Sequence, residues 1–175
     1  AKQAIRLWTD YAFGTGVQWK AADEKASTAL TDLVDSPRNA SVFSPRGQRM
    51  GSDRLLIDGE VFIALFPGKQ PIVRYVDPLQ VTEFVSNPDD YADVRYFKRE
   101  WTTPQGQLKT AYYRSWLNPE NVPTLDASGK CVRSTDEAIL YHLPINTIAS
   151  RGVPLLYPAI DWIRLHRRFL AARVA

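Results

Sequence analysis

Six short runs between residues 60 and 145 constrain this chain more than any other feature: "EVFIALF", "PIVRYV", "LQVTEFV", "VRYFKREW", "LKTAYYRSW" and "AILYHLPI". Each is rich in β-branched and aromatic residues, and Pro, Gly or Asn separates them, which is the pattern of strands joined by turns. No helical segment lies between them, so the runs predict an antiparallel sheet and exclude an alternating βαβ fold. "TTPQGQ" is the best hairpin turn, with Pro104 and Gly106 supplying its geometry. Along the strand that follows, Leu108, Thr110, Tyr112, Arg114 and Trp116 alternate with Lys109, Ala111, Tyr113 and Ser115. Neither face is purely apolar, so the hairpin is expected at the periphery. Residues 117–136 read as a loop with at most one brief strand.

Before the sheet, the period is helical. Ile5, Trp8, Ala12 and then Ala26, Ala29, Leu30 and Leu33 recur at three- and four-residue steps, broken at Gly14 and Gly16 and ended by Pro37. Ser44 is a candidate N-cap with Pro45 at the first helical position, Met50, Leu55 and Leu56 share one side, and Gly59 is placed to stop the helix. With a last helix after residue 152, the order is N-terminal helices, an antiparallel β-rich middle segment and a long C-terminal helix, an α+β fold.

A chain of 175 residues has the length of one domain and buries roughly 70% of its extended surface. Uncharged apolar runs such as "VFIALF" are far shorter than a bilayer span, so no membrane partner is expected. A net charge of +3 is too small to argue for nucleic acid by itself. The single cysteine, Cys131, excludes an internal disulfide and a thiolate metal cluster and reads as an ordinary thiol. Ala1 opens the chain without an initiator methionine or a signal peptide, and both ends are expected to be cut from something longer.

Few residues offer chemistry. His142 and His166 sit at no metal-ligand spacing with another ligand, and a hydrogen-bonded structural role is expected for the first and a solvated or interface role for the second. "GTGVQWK" lacks the spacing of a phosphate loop, no G-x-S-x-G elbow is present, and Asp89, Asp90 and Asp93 read as an ordinary turn rather than a cation site. "VRYFKREW" and "AYYRSW" interleave basic and aromatic residues, but Glu100 interrupts the charge, and a half-buried strand is the better reading. The expectation is a protein that is not an enzyme and uses no cofactor or metal.

The closing segment asks for more surface than one small domain supplies. Pro154 fits a first helical position, and Pro158, without an N–H, makes the helix start or kink there. From Pro158 to Ala175 it is uninterrupted and spans about 27 Å. Ala159, Ile160, Trp162, Ile163, Leu165, Phe169, Leu170 and Val174 occupy well over half its circumference, leaving Asp161, Arg164 and Arg168 for water. His166, Arg167 and Arg173 also fall inside that arc, which a wholly buried helix does not explain. Another copy of the chain, or further sequence, would cover it. Trp162, Leu165 and Phe169 are the candidate interface, with Arg164 and Arg168 making polar contacts across subunits or to phosphates.

"DGEVFIALF" (Asp58 to Phe66), "VRYVDPLQV" (Val73 to Val81), "YHLPINTIASRGVPLLYPAIDWI" (Tyr141 to Ile163) and the basic aromatic helix occur in that order. In this the chain resembles the phage portal proteins, head–tail connectors of the lambda-type or a related branch. The resemblance implies that residues 1–152 form a wing-like α+β domain and residues 153–175 the start of a stem-like helix, with Gly152 suited to a tight approach before it. It implies a homo-oligomeric ring of about twelve subunits. Through it a packaging ATPase, the terminase, drives double-stranded DNA into the capsid. The location implied is the virion, and the host cytoplasm during assembly. DNA-binding residues stay unassigned, because the second stem helix, clip and crown lie outside this sequence. A single-stranded nucleic-acid-binding module, or an α+β enzyme with an unrecognised site, are the alternatives.

Overall fold

Gly59 divides the molecule. In a computed structural model, which describes every residue except 1, 135–137, 149 and 175, helices precede it and strands follow it. The helices are α1 (Lys2–Phe13), α2 (Glu24–Val34), α3 (Ala40–Phe43) and α4 (Pro45–Asp58). Their ends obey local rules. The Asp23 carboxylate accepts from Ala26 N–H at 3.0 Å, and Ser44 Oγ accepts from Gly47 N–H at 3.1 Å ahead of Pro45. Gly59, at φ +83°, closes α4 by donating its N–H to Leu55 O.

The strands are β1 (Glu60–Phe66), β2 (Ile72–Val76), β3 (Val81–Asn87), β4 (Asp90–Thr102), β5 (Leu108–Ser115), β6 (Thr124–Leu125), β7 (Cys131–Val132) and β8 (Ile139–Pro144). Six form one sheet in the order β2-β1-β8-β5-β4-β3, and β6 and β7 pair separately. The fold is α+β, as the succession of runs predicts. The sheet is mixed rather than antiparallel throughout, because β8 joins β5 in parallel, Arg114 facing Ile139 and Ser115 facing Leu140. The edge strands β2 and β3 are consecutive in sequence, and the five steps from Val76 to Val81 reach at most about 18 Å. The sheet therefore curls to bring its edges together. Inside the curl lie Phe62, Ala64, Val76, Val81, Phe97, Ala111, Tyr113 and Leu140, all buried, with Phe62 edge-on to both Phe84 and Phe97.

Three expectations are corrected. The "TTPQGQ" turn does join β4 to β5, with Thr103 N–H bonded to Gln107 O and Gly106 at φ +79°, but the hairpin is central, since β5 lies between β8 and β4. Past the exposed turn end, Leu108 to Thr110, its mixed faces are both covered. One meets the core, and on the other the Tyr96 hydroxyl reaches Val122 O at 2.7 Å and the Tyr112 hydroxyl donates to Asp126 at 3.1 Å, so the polar tips of these rings are satisfied under residues 117–134. Those residues hold two brief paired strands, β6 and β7, not one; positions 135 and 136 of the expected loop lie outside the described residues. Finally, α4 buries Gly47, Gln48, Gly51 and Ser52, while Met50 is exposed. Small residues face inward because Tyr75 lies against Gly51, where a Cβ would collide with its ring.

Polar side chains tie the helices to the sheet. Asn39, fully buried, donates to Leu33 O (2.9 Å) and Pro71 O (3.1 Å) and accepts from Val73 N–H (2.9 Å). Within the helical part, Gln48 of α4 accepts from Val17 N–H at 2.7 Å and donates to Phe43 O of α3 at 2.8 Å.

A candidate assembly helix and its anchor

Past β8 the chain crosses the open end of the curled sheet before its last helix begins. Ile145 N–H donates to Gly59 O at 2.7 Å, Val153 N–H to Ile145 O at 2.9 Å, and Leu155 N–H to Leu56 O at 3.1 Å. These bonds hold the segment against the junction of α4 and β1. Gly152 and Gly59 meet there backbone to backbone: a Cβ on Gly152 would fall within contact distance of the Gly59 carbonyl group, and one on Gly59 would run into Val153 and Pro154. Pro154 belongs to this segment and not to the first helical position, its carbonyl accepting from Tyr157 N–H at 2.9 Å. Pro158 sits in a 3-10 turn, Tyr157–Ala159, from which α5 (Ile160–Val174) continues.

Glu60, the first residue of β1, anchors this crossing. Its side chain is 3% exposed, and a carboxylate so buried requires donors. Oε2 takes His142 Nε2 at 2.9 Å and Gly152 N–H at 3.0 Å, and Oε1 pairs with the Arg151 guanidinium. Burial pushes the Glu60 carboxyl up, but the His142 and Gly152 hydrogen bonds and the Arg151 charge outweigh it, and the net shift is downward. Arg151 also donates to Val81 O (2.8 Å) and Pro78 O (3.1 Å), with its guanidinium carbon 5.6 Å from the Phe62 ring centroid and 5.2 Å from that of Phe84. The register sets His142 opposite Phe62; the two rings stack at 4.5 Å, and Phe84 and Phe97 meet the imidazole edge-on. Nε2 is held by Glu60 and the ring lies among three phenylalanines, so His142 is hydrogen-bonded, as the sequence leads one to expect. It does gain the carboxylate partner that an enzyme reading calls for, yet that carboxylate is itself enclosed by donors.

Beyond this anchor every described side chain of α5, Ile160 to Arg173, is exposed. Trp162 is 73%, Leu165 59% and Phe169 55% exposed. At 100° per residue, Trp162, Leu165 and Phe169 fall within about 60° of arc, and Ile160, Ile163 and Leu170 form a second stripe centred about 150° away, with Arg167 inside it. His166 and Arg173 separate the stripes on one side, Asp161, Arg164 and Arg168 on the other. Arg164 pairs with Asp161 at 3.6 Å, and Arg173 lies 4.9 Å from the Phe169 ring centroid. The Val174 side chain, part of the expected arc, and Ala175, the end of the expected helix, lie outside the described residues. A shorter exposed apolar ridge, Leu7, Trp8 and Tyr11, runs along α1.

The remaining candidates are dispersed. Asp89 and Asp90 turn the β3–β4 hairpin, where the Asp90 carboxylate accepts from Ala92 N–H, and Asp93 pairs with Arg95 at 3.1 Å. The bases of "VRYFKREW" are engaged internally: Lys98 pairs with Glu83 and Glu100, and Arg99 lies 4.6 Å from the Trp101 ring centroid while bonding Gln80 and the Tyr113 hydroxyl. Gly14 and Gly16, both at positive φ, connect α1 to the stretch before α2. Cys131 is an exposed free thiol, and His166 is exposed on α5. Among the described residues, no group of three or more His, Cys, Asp or Glu is placed to hold a metal ion, and no helix is long and apolar enough to cross a membrane.

Sequence reasoning missed Glu60 and Asn39. For Glu60 a signal existed, a lone carboxylate directly after the helix-terminating glycine and at the head of an otherwise apolar strand. These features define an α+β domain with a curled sheet and a projecting amphipathic helix. No protein-family model matches the chain, and no curated protein matches it in sequence.

Proposed function

We propose that this chain is the wing and first stem segment of a phage portal protein, a structural and non-enzymatic subunit. About a dozen copies form a closed ring around the path of double-stranded DNA, which a separate terminase ATPase drives into the capsid. The protein would reside in the virion, assembling in the host cytoplasm. The observation that carries this reading is α5, bare on all sides with two apolar stripes about 150° apart. A two-fold dimer covers one such stripe on each subunit. A closed ring covers two, because every helix then meets a different face on each of two neighbours, and in a ring of about a dozen those neighbours lie about 150° apart. Trp162, Leu165 and Phe169 would pack on one neighbour, with Arg164 and Arg168 at the polar margin. The ordered motifs "DGEVFIALF", "VRYVDPLQV" and "YHLPINTIASRGVPLLYPAIDWI" support the same assignment by resemblance.

A stand-alone single-stranded nucleic-acid module draws no support from its candidate strands, whose Lys98 and Arg99 already have protein partners. The Glu60–His142 pair is the feature most favourable to an enzyme, since Glu60 borders an open polar cavity of about 580 Å³ with Asp58, Asp77 and Arg151, but its carboxylate oxygens are already taken by three donors. Electron microscopy of the intact protein that carries this sequence tests the proposal. Closed rings with a central opening are expected; a monomer or a two-fold dimer at micromolar concentration would overturn it.

A further inference from the structure

We propose that Glu60 is a positioning residue: it clamps the chain between β8 and α5 across the mouth of the curled sheet and so sets the direction in which α5 projects. This goes beyond the function proposed above and stands whatever α5 packs against.

Three groups donate to the Glu60 carboxylate, and two of them, the Gly152 N–H and the Arg151 guanidinium, belong to the crossing segment itself. The third, His142, belongs to the strand that feeds it. Arg151 carries the clamp across the mouth, because its other bonds go to Pro78 O in the turn that joins β2 to β3 and to Val81 O, the first residue of β3, the opposite edge strand of the sheet. One carboxylate thus connects β1, β8, β3 and the root of α5. Well-packed apolar side chains in place of the whole buried pair would cost little stability, whereas removing Glu60 alone would strand its donors. What the carboxylate adds is direction: its oxygens accept from three donors in one arrangement only, and a half-satisfied version leaves a charge stranded. The interlocked Gly59 and Gly152 remove the remaining slack, since the two backbones approach too closely to slide past each other. The short path from Gly152 to Ile160 then passes Leu155, bonded to Leu56, and the 3-10 turn at Pro158, so little freedom is left between anchor and helix.

The test is a distance distribution. Spin labels go on Cys131, an exposed thiol, and on Arg167→Cys in α5, and the doubly labelled chain is diluted into unlabelled chain so that only intrachain distances are read. A single narrow peak is expected, and Glu60→Gln should abolish it while the Phe62 and Leu140 amides remain among the slowest to exchange, even where loss of the buried pair speeds them. Arg151→Gln, at a side chain 41% exposed and thus less disruptive to folding, should do the same. A narrow peak that survives in either variant overturns the proposal, as does a broad distribution in the parent chain. Loss of core protection in both variants also overturns it, because Glu60 would then serve the whole sheet and not the direction of α5. The oligomeric state, measured separately, decides the ring; neither answer follows from the other.

Discussion

Replacing Trp162 and Phe169 together by serine separates a helix built for neighbours from one that merely lies on its own domain. An aromatic side chain carries ~200 Å² of buriable surface. At 73% exposure Trp162 leaves about 150 Å² of that in water, and Phe169 at 55% leaves about 110 Å². At ~25 cal/mol per Å² the pair offers at most about 6 kcal/mol per subunit on assembly. Even half of that is about two orders of magnitude in each association constant. In the isolated chain the same substitutions touch almost nothing, and a surface change of this kind stays within about 0.5 kcal/mol. W162S/F169S should therefore convert rings of the intact protein to monomers or short oligomers in sedimentation velocity, while the Tm of the isolated chain moves by no more than about 2 °C. An unchanged ring would remove these side chains from the interface. A Tm loss beyond about 5 °C in the monomer would show that α5 rests on its own body, and the reasoning would fail.

Gly152→Ala places a methyl group against the Gly59 backbone, where no side chain can turn aside, and should cost about 3 kcal/mol, read as a lowered urea midpoint at constant m. Because the Glu60 carboxyl lies below its ordinary value of 4.5, its contribution is fully present above that pH and is lost as pH falls through the lower native value. Parent and Glu60→Gln stabilities should accordingly differ most at neutral pH and draw together in acid; a gap that stays constant down to pH ~2 would contradict this. Asp58, whose carboxyl is raised by burial and by Asp77, works in the opposite sense and will shallow the parent's acid limb. Asp126 titrates at about 2, held down chiefly by the Ser128 hydroxyl, with the Lys130 N–H and Tyr112 hydroxyl assisting. Ser128→Ala should move it toward the usual carboxylate range in a carboxyl-carbon NMR titration.

Several elements were legible in the sequence because the forces that make them are local. Ser44, Pro45 and Gly59 bound α4 through bonds that reach three or four residues, and "TTPQGQ" closes a hairpin by its own dihedral preferences. The wide apolar arc of α5 also follows from spacing alone. Strand order did not, because the insertion of β8 between β1 and β5 depends on which distant strands share a core. That insertion brings Glu60 within reach of His142, 82 positions later, and of Gly152, 92 positions later, and only then is a carboxylate at the head of an apolar strand an anchor. The misplaced hairpin has the same origin: Tyr96 and Tyr112 look half-solvated until residues 117–134 fold over them and take up their hydroxyls. By itself the sequence determined the identity of the long elements, the ends of α4 and the amphipathic pattern of the last helix, since these depend on neighbours along the chain. Tertiary structure decided what is buried, what is paired and that α5 stands uncovered, since burial belongs to surfaces that meet only after the sheet has closed.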